Sequence, residues 1–291
     1  MTDQEGRTSR RVALNVAGAA GLLAAAKAVV GFSSGSIAVL SSALDSAGDM
    51  LASFVNFVFL TIAAKPPDED HPFGHGKAEH LAALFQGALL FSGSLYLGAR
   101  AVHRIADPEP LDASIVAVAA MVGSMIATFA ITSYLKRNAV REESSALASD
   151  ALHYSSDFVA NAATIIALIV VRYSGNPVYD SILGITVAAW IGWNSIYLIW
   201  NAGNDLMDRS LPESELAAVM RSIEESDPEV VDFADLRTRR AAGVRFIEFE
   251  LRIDRRVSFD RAHELTEMVK ARIRSAFPRV VITVHAEPVD R

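Results

Sequence analysis

Residues 37–64 form a continuous apolar run whose only charged residues are Asp45 and Asp49. About 20 apolar residues suffice to cross the hydrocarbon core of a bilayer as a helix, so this run is long enough to span a membrane. A carboxylate at the centre of such a helix costs roughly 2.5–3.5 kcal/mol on insertion scales. Because the two aspartates are four residues apart, a helix presents both on one face. The run therefore predicts a spanning helix with two costly carboxylates that packing alone does not require.

A second pair with the same spacing, His153 and Asp157, lies in another apolar segment. Three carboxylates and one imidazole could together supply four nitrogen and oxygen ligands to a divalent metal ion. In the alternative interpretation, these side chains are protonated or hydrogen-bonded to one another and only hold helices together. Two matched pairs favour the metal site, with Asp45, Asp49, His153 and Asp157 as its ligands. We assign none of them a catalytic role.

The composition divides the chain into a membrane part and a soluble part. Of the 291 residues 51% are hydrophobic, and the mean hydropathy is +0.27. Residues 209–291 hold 15 of the 27 basic and 16 of the 34 acidic residues. This shift predicts a membrane domain over residues 1–208 and a soluble domain over residues 209–291. The net charge of −7 gives no support for nucleic-acid binding, and the lack of cysteine excludes thiolate metal sites.

Six membrane spans are predicted, at about residues 12–32, 37–64, 80–103, 113–135, 144–171 and 177–201. An even number of spans places both termini on one side of the membrane. That side collects Arg7, Arg10, Arg11, Lys65, Lys77, Lys136, Arg137 and Arg141, whereas the other side has Arg100, Arg104 and Arg172. The positive-inside tendency therefore places both termini in the cytoplasm. We expect Lys27, near the end of the first span, to snorkel outward and assign it no chemistry.

Two further segments have recognisable patterns. The loop at residues 65–77 places Asp68, His71 and His75 at a spacing suited to metal ligands, although a polar loop of this kind can also be merely solvated. The segment after residue 209 alternates as helix, strand, strand, helix and strand, at residues 212–226, 230–240, 244–254, 259–277 and 280–285. This order suits a small α+β domain with its helices packed on one face of a sheet.

Taken together, these motifs resemble the cation diffusion facilitator family, of the bacterial zinc and iron efflux type. The resemblance is carried by Asp45-x-x-x-Asp49, by His153-x-x-x-Asp157, by KPPDEDHPFGHGKAEH at residues 65–80 and by LMDRSLP at residues 206–212. It covers nearly the whole chain. It implies a homodimer of six-span protomers in the bacterial inner membrane, each with a ferredoxin-like αββαβ cytoplasmic domain.

The resemblance also implies metal sites in each part of the chain. It places the transport site on the four transmembrane ligands and a second site on Asp68, His71 and His75. In the cytoplasmic domain, zinc exporters of the family often have histidine where this chain has Ala234 and Glu250. The candidate ligands there are His263, His285, Glu287 and Glu250, and the alternative is that both histidines are ordinary surface residues. Lys77 and Asp208 flank the junction between the two domains and could form an ion pair.

The function that follows is metal efflux by proton antiport, with the lipid bilayer, divalent metal ions and protons as partners. Metal binds the neutral imidazole and the ionised carboxylate, so metal and protons compete for the same groups. A His/Asp set of four ligands favours Zn²⁺, ahead of Fe²⁺, Cd²⁺, Mn²⁺ and Co²⁺, as substrate and regulator, and no organic cofactor is expected. The protein is then a secondary transporter and not an enzyme.

Two other classes of function deserve comparison. An intramembrane hydrolase could use two aspartates as acid and base, but the chain has no Gly-x-Gly-Asp motif of that class. A metal-gated scaffold could recruit partners through the cytoplasmic domain while transporting little. The intact set of four transmembrane ligands argues against the scaffold.

Overall fold

The computed structural model describes residues 3–35, 37–107, 115–176, 178–277 and 279–290. Its contacts divide the chain into two compact units with the boundary between Gly203 and Asn204, five residues before the predicted boundary at 208. Six helices among the described residues are long and apolar enough to cross a membrane. They are α1 Asp3–Ser34, α2 Ile37–Ala63, α3 Ala78–Ala106, α4 Ile115–Glu142, α5 Ser145–Ser174 and α6 Val178–Leu206. The prediction of six spanning helices is thereby confirmed.

The core of the membrane unit lies where α1, α2, α4 and α5 meet. Helix α1 packs along α2, α4 packs along α5, and α5 also contacts α2 and α3. The buried cluster at this meeting point includes Val16, Leu60, Leu135, Leu147 and Tyr154. Because α2 and α5 share this core, the faces that carry the two ligand pairs are held beside each other.

Helix α5 has a defined start and end. The Ser144 side chain accepts a hydrogen bond from the Leu147 N–H at 3.3 Å, which caps one of the free amides at the helix start. Gly175 adopts a left-handed conformation with φ of 69°, and its N–H donates to the Val171 carbonyl oxygen at 2.8 Å. These caps fix the length of the helix that presents His153 and Asp157.

The C-terminal unit has the predicted αββαβ order: α7 Glu213–Glu224, β1 Val230–Ala241, β2 Val244–Asp254, α8 Phe259–Ala276 and β3 Val280–Val289. Strand β2 is central, antiparallel to β1 and parallel to β3. Side chains of β2 such as Ile247 and Leu251 pack against Val219 of α7 and Leu265 of α8. The prediction of an α+β domain is confirmed.

Local residue properties account for the β1–β2 turn and for the length of β3. Ala242 and Gly243 form the β1–β2 turn with φ of 48° and 70°, the positive values that a tight two-residue hairpin turn requires. Strand β3 continues to Val289, whereas the sequence predicts an end at residue 285. It extends through Pro288 because β3 is an edge strand, where a residue without an N–H is tolerated.

Candidate metal centres

Three of the four predicted transmembrane ligands converge in the structure. Asp49 of α2 and His153 and Asp157 of α5 each offer one ligand atom, and these atoms all lie within 4.8 Å of one another. The His153 Nε2 is 3.0 Å from Asp49 Oδ1 and 3.7 Å from Asp157 Oδ2. We refer to these three residues as the transmembrane group. One imidazole nitrogen and two carboxylates at this separation form a nitrogen and oxygen ligand set suited to a divalent transition metal.

The transmembrane group is partly shielded from water, and one of its oxygens is buried without a hydrogen-bond partner. Side-chain exposure is 10% for His153, 21% for Asp49 and 30% for Asp157. Among the described residues, Asp157 Oδ2 and His153 Nδ1 are buried without a hydrogen bond. A buried polar atom left unpaired is costly, so such atoms are rare in ordinary packing. The Asp157 oxygen faces the imidazole and is placed to ligate a cation.

Asp45, the fourth predicted ligand, lies outside this group. It is one turn before Asp49 on α2, where its side chain is exposed. Four residues of helix rise by about 6 Å, so the two carboxylates share a face without reaching the same point. Its role as a ligand therefore stays a prediction.

Lys27 of α1 is buried, and the expectation that it snorkels outward is wrong. Its exposure is 9%, and its Nζ donates to the Ser46 hydroxyl at 2.7 Å and lies 3.5 Å from the Ser42 carbonyl oxygen. These acceptors on α2 hold the ammonium group inside the bundle. Its partner Ser46 directly follows Asp45 on α2. The amine is therefore a neighbour of the acidic face of α2.

A polar network beside the transmembrane group is not anticipated by the sequence analysis. Asp150 of α5 is fully buried, and both of its carboxylate oxygens lie near the Ser53 hydroxyl of α2, at 3.1 and 3.3 Å. The same hydroxyl is 2.9 Å from the Tyr154 hydroxyl. The available signal was a second carboxylate in the apolar α5 segment, three residues before His153.

The loop between α2 and α3 brings together Asp68, His71 and His75, which we call the loop group. Asp68 lies 3.3 Å from a nitrogen of each histidine, and the two imidazole rings have centroids 4.4 Å apart. The His71 N–H donates to Asp68 Oδ1 at 2.7 Å, and this bond chiefly holds the pKa of Asp68 below its ordinary value. Gly74 permits the turn, with φ of 82°. The carboxylate thus stays ionised and is available to a cation.

The four candidate ligands of the cytoplasmic domain are only partly brought together. Residues Ala234, Glu250 and His285 occupy one row across β1, β2 and β3, so their side chains share one face of the sheet. The His285 Nε2 lies 3.3 Å from a Glu287 carboxylate oxygen. His263 and Glu287 line a cavity of about 390 Å³. In the part of the chain that is described, no group of three close ligands includes these residues. A cytoplasmic metal site stays a prediction.

The predicted ion pair between Lys77 and Asp208 joins residues of the two different units. Within the C-terminal unit, Asp208 Oδ1 lies 3.4 Å from the Arg239 guanidinium. The pair across the junction stays a prediction.

Comparison with known proteins finds similar proteins over nearly the whole chain. The model of the cation efflux transmembrane domain matches residues 14–207, and that of the cation efflux protein cytoplasmic domain matches residues 211–289. The cation-efflux pump FieF of Shewanella oneidensis is 35% identical over 88% of this chain and 86% of its own length. FieF of Cronobacter sakazakii is 32% identical over 99% of this chain and 95% of its own.

A solved chain of CzrB covers 28% of this chain and 99% of its own at 30% identity, but its TM-score of 0.27 is too low to support an argument. The two domain models together match almost the full length, and the converging ligands lie within the transmembrane match. This protein therefore belongs to the cation diffusion facilitator family of multi-pass cation-efflux transporters.

Proposed function

We propose that this protein exports divalent metal cations, Zn²⁺ foremost, in exchange for protons. The observation that carries the proposal is the transmembrane group, a buried imidazole between two carboxylates on neighbouring spanning helices. Ionisable residues inside membrane spans are expensive and commonly mark ion pathways. The relatives named as cation-efflux pumps support the direction of transport.

The ligand chemistry explains how metal and protons would exchange. A metal ion takes imidazole in its neutral form and carboxylate in its ionised form, so its binding displaces protons and its release allows them to return. Asp45 lies one turn from Asp49. It would complete a set of four ligands after a change of its rotamer or a movement of α2. Rocking of helices around a site within the membrane would open it to each side in turn, as in other secondary transporters.

Zinc is the first candidate because four ligands of the His/Asp type suit its tetrahedral preference. The absence of cysteine removes the soft thiolate ligands that Cu(I) prefers. Fe²⁺, Cd²⁺, Mn²⁺ and Co²⁺ accept the same nitrogen and oxygen donors and follow as alternatives.

We further propose the setting of this activity: a homodimer in the bacterial inner membrane, with both termini in the cytoplasm. The excess of basic residues on that side of the predicted spans supports the orientation. Metal bound by the loop group and by the C-terminal unit would regulate transport and not take part in it.

Purified protein in liposomes tests the proposal, with a pH dye inside and Zn²⁺, Fe²⁺, Mn²⁺ or Cd²⁺ supplied outside. We expect metal entry and proton exit to be coupled, with the highest rate for Zn²⁺. Metal movement without any proton movement would overturn antiport, and no movement of any metal would favour a scaffold. Cleavage of a membrane-embedded peptide by the same preparation would favour the hydrolase.

A further inference from the structure

Helices α2 and α5 are joined by polar contacts at three successive levels. At the first, Asp49 meets His153 at 3.0 Å. At the second, the Ser53 hydroxyl meets both carboxylate oxygens of Asp150. At the third, the Asn56 side-chain amide donates to the Ala146 carbonyl oxygen at 2.8 Å.

These contacts form a ladder of antiparallel helices. Each step forward by three or four residues along α2 is matched by a step back of three or four residues along α5. Successive levels are therefore about 4.5–6 Å apart along the helix axes. The metal-ligand contact is thus the first level of a ladder, and its position depends on the register that the other two levels maintain.

The second level is the most deeply buried. Exposure is 0% for Asp150 and for Ser53, and 1% for Tyr154. The Ser53 hydroxyl links the Asp150 carboxylate to the Tyr154 phenol, since the Tyr154 hydroxyl oxygen lies 2.9 Å from it. Tyr154 in turn follows His153 directly, and their rings meet edge to face with centroids 5.5 Å apart. The network therefore contacts the ligand imidazole as well as both ligand-bearing helices.

The polar residues of the ladder cost more free energy to place in a membrane than their hydrogen bonds contribute to helix association. Interhelical hydrogen bonds between polar side chains in membranes contribute only about 0.6 kcal/mol on average. A carboxylate within a span costs several times that amount by insertion scales, roughly 2.5–3.5 kcal/mol. The hydrogen bonds of Asp150 therefore do not offset its insertion cost if its only role is to hold two helices together.

We propose that Asp150, with Ser53 and Tyr154, is a positioning residue that sets the register of α2 against α5 and so selects the cation. The inference rests on the proposed transport function and assigns these residues no contact with the metal. Selectivity between cations of different size depends on cavity size, ligand number and the flexibility of the site. A register held by the ladder keeps Asp49 at a fixed separation from the α5 ligands, which suits the short bonds of zinc. A looser register accommodates larger cations.

Single substitutions in the full-length protein in liposomes test this role. Ser53→Ala removes the hydroxyl that contacts Asp150 and Tyr154 and keeps both of those residues, and Ser195→Ala is its matched control. Ser195 is also fully buried, but its hydroxyl donates to the Ile191 carbonyl oxygen of its own helix at 2.7 Å. Asp150→Ala removes the acceptor, whereas Asp150→Asn keeps an oxygen that Ser53 can reach. Initial rates are measured for Zn²⁺ and Mn²⁺ over a range of concentrations.

We expect Ser53→Ala and Asp150→Ala to raise the KM for Zn²⁺ roughly tenfold, the low end of the effect of removing an outer-shell partner of a metal ligand. The maximal rate per folded dimer should change much less, and the ratio of Mn²⁺ to Zn²⁺ transport should rise. Asp150→Asn should recover part of the loss, and Ser195→Ala should match the wild type. The inference is overturned if Ser53→Ala and Ser195→Ala have the same KM and the same cation ratio.

Zinc titration of the purified protein separates this inference from the proposed function. The titration uses a background with His71→Ala and His75→Ala so that the loop group does not contribute. A wild type that moves no metal would overturn the transport function. The positioning role would still be supported by weaker zinc binding in Ser53→Ala than in Ser195→Ala, and overturned by equal binding.

Discussion

The transmembrane group and the loop group use the same kinds of donor atom in opposite surroundings. Each consists of three residues drawn from aspartate and histidine whose ligand atoms lie within 4.8 Å of one another. Side chains of the transmembrane group are 10% to 30% exposed, whereas His71 and Asp68 of the loop group are 59% and 53% exposed and His75 is 12% exposed. The two groups therefore differ in their access to water much more than in their chemistry.

This difference in access to water affects how each group can bind and release a cation. In the loop, water can complete the coordination of a metal and screen its charge, so binding and release need no movement of a helix. Inside the bundle, charges interact more strongly because the surroundings are less polar. In the proposed antiport, a cation that enters the transmembrane group would displace protons from it and would leave through a change in the helices. Coupled transport requires the second situation, and retention or sensing of metal requires only the first.

The largest expected effect comes from removing a ligand of the transmembrane group. Asp49→Ala or Asp157→Ala should lower the rate of zinc transport by more than the roughly 10–100-fold typical of outer-shell substitutions. The protein should still fold and form dimers, because each variant also removes a costly charge from a membrane span. Zinc uptake into vesicles, normalised to the amount of dimer, measures the effect. Near wild-type uptake by Asp157→Ala would exclude this group as the transport site.

The sequence was sufficient to predict this group because charges are conspicuous in apolar segments. The spacing of four residues in each pair predicted a shared helix face, and the structure brings Asp49, His153 and Asp157 together. It could not show that Asp45 lies outside this group, because rotation about the helix axis and side-chain rotamers depend on the neighbouring helices. The predicted six spans and the αββαβ order depend on hydrophobic periodicity, which the sequence carries directly.

The second expected effect is a change of cation preference on replacing the imidazole of the transmembrane group. His153→Asp makes the site harder and more anionic, which favours cations that prefer oxygen ligands over zinc. The ratio of Mn²⁺ or Cd²⁺ transport to Zn²⁺ transport should rise by roughly tenfold, which corresponds to about 1.4 kcal/mol. Competition between the metals in the liposome assay measures it. An unchanged ratio would place selectivity elsewhere in the protein.

Residues behind the ligands were harder to predict, for identifiable reasons. Asp150 and Ser53 are three and four residues from the candidate ligands His153 and Asp49, but only the packing of α2 against α5 shows that they meet. The position of Lys27 depends on Ser46, whose hydroxyl provides an acceptor inside the bundle. Serines are common in spans, so a sequence alone does not indicate which one accepts a buried ammonium.

The loop group should have a smaller effect on transport than on metal content. His71→Ala should reduce the zinc bound per protomer by about one ion while lowering the maximal transport rate by less than about tenfold, since an exposed site with water as ligand is not part of the helix movement. Asp70→Ala is the matched control, because this neighbouring acidic residue lies outside the group. Elemental analysis of purified protein and the vesicle assay measure the two quantities. If His71→Ala lost transport as completely as Asp157→Ala, the loop group would be part of the transport pathway and the two groups would not differ in role.

The C-terminal unit offers a third setting, in which most of the candidate ligands are exposed and no three of them lie close together in the described residues. Residues 209–291 carry 15 basic and 16 acidic residues, and Ala234, Glu250 and His285 form one row on the sheet. Acidic side chains of two such units in a dimer repel one another unless a cation neutralises them. Because Ala234 contributes no donor to the row, we expect weak zinc binding that draws the two units together only at elevated metal concentration.

Spin labels on the full-length dimer measure this smallest effect. The chain has no cysteine, so Ser275→Cys on the exposed end of α8 gives one labelling site per protomer. Zinc should shorten and narrow the distance between the two labels, and His263→Ala with His285→Ala should abolish the change. Ala234→His places an imidazole beside Glu250 and should lower the zinc concentration for half of the effect by roughly tenfold, about 1.4 kcal/mol of added binding. If the distance stays constant up to saturating zinc, or if the double histidine variant retains the change, the C-terminal unit does not respond to metal through these residues.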